Sequence, residues 1–275
     1  MLILIFDTYG GLCNQFMDIS QGINFCITYN VLFTFRHCSF RNNDLTTWNN
    51  QPFEKLFDLT FLDKYKLYIN YYSIKDDITN DNCFNLTNTQ LSNRIFDVNR
   101  TDILNQLTSV NKKYIVLPQP GVIYFNKPMI DHGIISHLLP SKHLMDVYFE
   151  IKNNLIKTKP YNFIHYRYEI DFKQHFQIQI ESIDEVLVKI KFKNNELPIY
   201  VAASNINKLL DLNNDKYKNV LCKDDDKLSH LNFEERAFID YMIGVNSVEC
   251  YGHNNSSFSG TLNGLKRTNN YYNLL

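Results

Sequence analysis

The feature that most constrains this chain is the alternation that begins near residue 160. Asn162 to Arg167 reads as a strand, Ser182 to Ile190 as a helix, Pro198 to Ala203 as a strand and Ile206 to Leu212 as a short helix. Asn219 to Cys222 then reads as a strand, Phe233 to Gly244 as a helix, Ser247 to Tyr251 as a strand and Ser257 to Arg267 as a last helix. Ser182 and Glu185 supply a capping box for the first of these helices. Strands separated by helices do not close as hairpins. The pattern therefore calls for a parallel sheet with helices on both faces.

The amino end repeats the theme. Leu2 to Phe6 is a strand, Asp7 to Cys13 a loop, and from Asn14 the residues Phe16, Ile19, Ile23, Cys26 and Ile27 recur at helical spacing. Val31 to Phe35 is the next strand, which completes the opening of a doubly wound sheet. Residues 36–110 lack a clean period. They suggest a helix over Phe53 to Phe61, a strand over Lys66 to Ile74 and a helix over Asp102 to Val110, followed by a strand at Tyr114 to Leu117. Ser141 to Ile156 reads as an amphipathic helix leading into the second half. A chain of 275 residues accommodates two such units, so the expectation is two Rossmann-like halves joined near residues 120–160.

Charge and cysteine usage narrow the partners. The net charge is −1 and no Lys/Arg stripe dominates a segment, which argues against nucleic acid. The six cysteines form no C-x-x-C pair and read as reduced, buried thiols. The apolar run after Met1 is too short for a signal peptide or a membrane span and lacks a basic start. A cytoplasmic protein with unused sequons at Asn85 and Asn99 is the expectation. Nothing in the sequence sets an oligomeric state.

Three loops stand where open α/β sheets bind ligands, at the carboxyl ends of strands. The first is Gly10-Gly11-Leu12-Cys13-Asn14-Gln15, which is neither a dinucleotide fingerprint nor a Walker loop; a plain tight turn is the alternative. The second follows Phe163-Ile164-His165-Tyr166-Arg167-Tyr168-Glu169-Ile170-Asp171, where His165, Arg167 and Glu169 share one face if the strand runs on. A guanidinium there suits a phosphate, and an ion-paired edge strand is the alternative. The third is Gly252-His253-Asn254-Asn255-Ser256-Ser257-Phe258-Ser259-Gly260, in which small hydroxylated residues open a helix. Capping accounts for one serine; the others suit a phosphate cradle. Asp224-Asp225-Asp226 contains the Asp-x-Asp of metal-dependent transferases, but Lys223 and Lys227 flank it as in an ordinary charged turn.

Taken in order, Gly-Gly-Leu-x-Asn-Gln, His-x-Arg-x-Glu-x-Asp, Pro-Ile-Tyr-Val-Ala-Ala-Ser and Asp-Tyr-Met-Ile with Ser-Ser-Phe resemble the GDP-fucose fucosyltransferases. The protein O-fucosyltransferases and their plant relatives are nearest, the α1,6-fucosyltransferases more distant. The resemblance is strongest from Tyr161 to Arg267, and residues 36–110 match nothing recognisable.

That resemblance implies an α/β GT-B fold, two Rossmann-like domains facing across a cleft: residues 1–145 on the acceptor side and 146–275 binding a nucleotide-sugar donor. It also implies inverting transfer from GDP-fucose to a glycan or protein hydroxyl, with no metal. Arg167 would hold the donor pyrophosphate and His165 would lie near the nucleotide. Ser256, Ser257 and Phe258 would contact the phosphates. Asn14 with the Gly10 and Gly11 backbone would reach the sugar or β-phosphate, and Asp240 or Glu249 would accept from guanine. For a catalytic base the candidates are Asp18 and Glu169, each of which also reads as a plain surface or ion-pair carboxylate. A transferase for another nucleotide sugar, such as a UDP-sugar, and a non-catalytic nucleotide-sugar or carbohydrate-binding protein are the competing readings.

Overall fold

The structure, a computed structural model, describes residues 1–42, 47–86, 100–118, 131–157, 159–168, 181–204, 214–253, 256–266 and 271–273. Glu169, Asp171 and the helix expected over residues 206–212 lie outside the described residues.

The first sheet contains β1 (Ile3–Asp7), β2 (Leu32–Arg41), β3 (Trp48–Pro52), β4 (Cys83–Asn85) and β5 (Tyr114–Pro118), in the order β3-β2-β1-β5-β4. β1 is central and pairs in parallel with β2 and β5. Covered on both faces, it reads as an unbroken apolar run, and Ile3 to Phe6 are all buried. The helix α1 (Leu12–Tyr29) follows it and buries Phe16, Ile19, Ile23 and Cys26. Asn30 ends it in the left-handed region at φ 54°, where its N–H reaches the Cys26 and Ile27 carbonyls.

Three expectations in this region are corrected. β2 does not stop at Phe35 but runs to Arg41 and turns back antiparallel onto β3. Arg36 and His37 interrupt the apolar run, yet they stay in the strand because both reach the Asp7 carboxylate on β1. The helix expected over Phe53 to Phe61 is two 3-10 turns, Phe53–Lys55 and Leu59–Lys64. There Phe53 stacks on Phe35 at 4.7 Å and on Phe57 at 4.6 Å, so aromatic packing rather than helical hydrogen bonding fixes the segment. The strand expected over Lys66 to Ile74 reduces to a single bridge between Phe33 and Tyr68, with a 3-10 turn at Tyr71–Ser73. α2 (Arg100–Ser109) leads into β5.

The second sheet contains β6 (Asn162–His165), β7 (Ile199–Ala202), β8 (Val220–Leu221), β9 (Cys250–Gly252) and β10 (Tyr271–Asn273), in the order β10-β9-β6-β7-β8. All its pairs are parallel. The helices are α3 (Lys142–Ile151, continued by a π-helical stretch Lys152–Ile156), α4 (Ile183–Lys189), α5 (Phe233–Val245) and α6 (Ser257–Lys266). Side chains of β6 alternate between faces. Ile164 and Tyr166 join Val201, Tyr251 and the α4 residues Ile183 and Val186 in one buried cluster. Phe163 points the other way and stacks on Tyr200 at 5.9 Å. It also lies where a Cβ on Gly244 of α5 would stand at 3.1 Å, which lets that helix pack closely. β9 begins at Cys250 rather than Ser247, since the Ser247 hydroxyl is turned back to the Gly244 carbonyl at the end of α5.

The chain divides into two units with dense internal contacts, Met1–Ser141 and Lys142–Leu275. Among the described residues no helix is long and apolar enough to cross a membrane.

Candidate functional site

In the second unit the carboxyl ends of the parallel strands carry most of the polar chemistry. β6 delivers His165, which shares the Phe163 face and is buried. Its ring stacks on Phe258 at 4.2 Å and 26°, and its Nδ1 lies 2.8 Å from the Ser259 hydroxyl, both on the first turn of α6. Tyr241 of α5 meets Phe258 edge-on. Burial pushes His165 well below its ordinary pKa, and the nearby charges of Arg167, His253 and Lys223 push it further the same way. The imidazole is therefore held in its neutral form near pH 7. The strand ends at His165, so Arg167 stands just past it rather than within it. Tyr166 and Tyr168 stack beside it at 5.6 Å and reach the Glu181 and Ser204 carbonyls through their hydroxyls.

Ser256 precedes α6 and is buried, and its hydroxyl has no hydrogen-bond partner among the described residues. Its backbone is engaged, receiving the Gly260 N–H. A buried polar group left unmet is uncommon and calls for an explanation, a ligand being one. Ser257 and Phe258 start the helix, whose first N–H groups have no partner within the helix itself.

Lys223, just beyond β8, is buried and held by three oxygens. Its Nζ lies 2.5 Å from Asp240 Oδ2 and 3.3 Å from the Ala203 carbonyl, with Asp225 at 3.9 Å. Asp240 Oδ1 accepts from the Tyr200 hydroxyl at 2.8 Å. Burial pushes the Asp240 carboxyl up, and the Lys223 ammonium and Tyr200 hydroxyl oppose that push. With both oxygens engaged inside the protein, Asp240 acts as an anchor for Lys223, and any contact to a base would have to share them. Glu249 is not brought to this cluster. It precedes β9, at the amino end of the strand, where its Oε1 accepts from the Lys193 N–H. Four residues of extended chain, about 13 Å, separate it from His253.

Asp224-Asp225-Asp226 forms a charged turn. Asp224 accepts from the Asp226 and Lys227 backbone N–H groups and pairs with the Lys227 ammonium, which makes it a turn cap. The middle residue, Asp225, turns inward to Lys223 and lies 3.8 Å from Arg236. Among the described residues no group of three or more His, Cys, Asp or Glu side chains is arranged to hold a metal.

In the first unit the glycine loop is built around Gln15. This fully buried side chain accepts from the Thr8 hydroxyl and the Ser39 N–H, and donates to the Gly10 and Ser39 carbonyls, at 2.7 to 3.1 Å. Gly10 adopts φ 87°, a conformation open mainly to glycine, and Asn14 packs where its Cβ would be. Asp18 Oδ2 accepts from the Tyr9 N–H, so this carboxylate braces the loop. Asp7 is engaged too. Burial raises its pKa, but hydrogen bonds from His37 and Arg36 outweigh burial and hold it below the usual carboxylate range.

No family model matches the sequence, and no curated protein matches it. Solved structures do match. POFUT1 in complex with GDP superposes with a TM-score of 0.69 over 96% of this chain and 95% of that one, at 13% identity. The fucosyltransferase NodZ from Bradyrhizobium gives 0.59 over 96% and 93%, at 10% identity. A mutant of Arabidopsis thaliana FUT1 in complex with GDP gives 0.54 over 96% and 68%, at 10% identity. The chain has the fucosyltransferase fold.

Within that fold the structure gathers His165, Arg167, Ser256, Ser257 and Phe258 at one end of the second sheet, and Gly10, Gly11, Asn14 and Asp18 at one loop of the first unit. Four residues acquire parts that their sequence positions did not suggest: Gln15, Tyr200, Lys223 and Ser259. Gln15 had a signal, because it sits one turn before Ile19 on the apolar stripe of α1. A polar residue on a buried face must have partners. Lys223 had none, since a lysine beside three aspartates reads as solvated.

Proposed function

We propose that the protein is a GT-B glycosyltransferase that transfers fucose from GDP-fucose to a hydroxyl of a glycan or protein acceptor, with inversion and without a metal. One observation carries the reading. At the carboxyl end of the second sheet, Arg167 and Lys223 act electrostatically on the buried His165, which meets Ser259 and Phe258 on the first turn of α6; the buried Ser256 hydroxyl just before that helix has no partner among the described residues, and the fold is shared with structures solved with GDP and GDP-fucose. Such a setting suits a diphosphate.

In the step itself the acceptor oxygen bonds to the anomeric carbon as the bond from that carbon to the β-phosphate oxygen breaks. The electron pair of the broken bond leaves with the nucleoside diphosphate, and the acceptor hydroxyl gives up its proton. Arg167 and the α6 N–H groups, with Ser256 and Ser257, take the charge that develops on the leaving diphosphate, which is the task a metal ion has elsewhere. Phe258 holds the His165 ring beside the nucleotide, and the neutral imidazole offers one donor and one acceptor rather than a second charge. Asn14 and the Gly10-Gly11 backbone are assigned to the sugar or β-phosphate. Glu169 remains the candidate to receive the acceptor proton. Asp18, committed to the Tyr9 N–H, is assigned to holding the loop.

A thermal-shift panel of GDP, UDP and their sugars, with and without EDTA, tests the reading. GDP and GDP-fucose are expected to stabilise the chain, by about 2.7 kcal/mol at a hundredfold excess over Kd, with no effect of EDTA. A response to UDP ligands alone contradicts the donor assignment. A response abolished by EDTA moves the chemistry to Asp224 and Asp226.

A further inference from the structure

Beside the glycine loop of the first unit lies a group of side chains that the transfer chemistry above does not use. Arg41 ends β2 and pairs across the antiparallel ladder with Trp48 of β3. Its guanidinium carbon lies 5.2 Å from the centre of the Trp48 ring. Its Nη2 stands 3.2 Å from where a Cβ on Gly11 would be, so only a glycine at that position leaves the guanidinium its place without displacement. Tyr9 completes the group, its ring 5.2 Å from Trp48 at 43°. Tyr9 is 38% exposed, Arg41 and Trp48 are half-buried, and the Tyr9 backbone is fixed by Asp18.

Two aromatic rings and a planar cation thus form an open surface at the carboxyl end of β1, contiguous with Gly10, Gly11 and Asn14. β3 is an edge strand, so its far side is not covered by another strand of the sheet. The combination has a specific chemical complement. A pyranose ring presents an apolar C–H face that packs on an aromatic ring, and hydroxyls around its rim that accept from a guanidinium or an amide.

We infer that Tyr9, Arg41 and Trp48 form a saccharide subsite that seats one pyranose ring of the acceptor. The inference rests on the transferase reading and narrows its acceptor to a glycan.

Trp48 is the chain's single tryptophan, so tryptophan emission reports on this surface alone. The full-length protein is titrated with methyl glucoside, N-acetylglucosamine, N-acetyllactosamine and a serine/threonine peptide, and Trp48 emission is followed. At least one saccharide is expected to give a saturable change. Tyr9→Ala and Arg41→Ala are expected to weaken it by about tenfold, the scale of a lost stacking or charge-assisted contact. Tyr9→Phe, which keeps the ring, retains it and guards against a folding artefact. Circular dichroism establishes that each variant is folded. A silent Trp48 across all saccharides overturns the proposal. So does a saccharide response that both alanine variants leave unchanged, or a response to the peptide alone. GDP titrated into the wild-type protein by calorimetry separates the two readings. Absent GDP binding strikes the donor assignment, while bound GDP with a silent Trp48 strikes only the saccharide subsite.

Discussion

The two strand-end sites are built on opposite principles. In the first unit the glycine loop closes on itself: Gln15 makes four hydrogen bonds, Asp18 takes the Tyr9 N–H, and Asp7 is matched by Arg36 and His37. In the second unit Arg167 and Lys223 lie close enough to disfavour the charged form of the buried His165, and the Ser256 hydroxyl has no partner among the described residues. A self-satisfied loop offers shape and backbone; a buried unmet hydroxyl at a helix amino terminus suits an anion. The contrast is why the donor diphosphate is assigned to the second unit.

Each unit also has a close ion pair near its strand ends, Arg36–Asp7 in the first and Lys223–Asp240 in the second, and burial separates the two. Lys223–Asp240 is almost wholly enclosed, at 4% and 9% side-chain exposure, against 23% and 13% for Arg36–Asp7. Lys223→Ala leaves Asp240 charged in the interior and is expected to lower stability by about 4 kcal/mol. Arg36→Ala opens onto solvent and is expected to cost about 1 kcal/mol. Urea unfolding of both variants measures the gap, and equal losses would mean that burial does not distinguish the pairs. Gln15→Leu strands the Gly10 and Ser39 carbonyls and the Ser39 N–H, with an expected loss of about 3 kcal/mol. If its unfolding midpoint matches wild type, the loop does not depend on that side chain.

A further expected effect is a pH dependence that arises from His165 in the second unit. The folded-state pKa of His165 is depressed below 6.5. As the pH falls through that value the unfolded chain takes up a proton that the folded chain refuses. Stability is therefore full above about pH 6.5 and declines below it, by at most about 1.4 kcal/mol per pH unit. Unfolding midpoints at pH 8 and pH 5.5 for wild type and His165→Gln test this. An identical acid dependence in the two proteins would show that His165 does not titrate differently on folding.

How far these sites could be read from sequence follows from the range of the interactions. The second sheet was legible because parallel strands are continuous apolar runs and the helices between them carry local caps, such as Ser182 with Glu185. The period-2 pattern put His165, Arg167 and Glu169 on one face if the strand ran on, whereas β6 ends at His165. β3 was missed because Trp48-Asn49-Asn50-Gln51-Pro52 is an edge strand with no apolar alternation; its pairing depends on β2 extending past Arg36. The anchoring of Lys223 joins residues 17 apart along the chain and has no local pattern. Glu249, which the resemblance offered with Asp240 for guanine, precedes β9 at the amino end of that strand, a placement that residue type does not reveal.

The central claim is that Arg167 and the amino end of α6 hold a guanosine diphosphate. Calorimetric titration of GDP into wild type and Arg167→Ala, in EDTA, addresses it most directly. The account predicts that wild type binds GDP without metal, and that Arg167→Ala binds it more weakly by roughly 2 kcal/mol, about thirtyfold, the scale of a lost charge-assisted hydrogen-bond pair. Equal affinity in the two proteins, or wild-type binding that vanishes in EDTA, would contradict it.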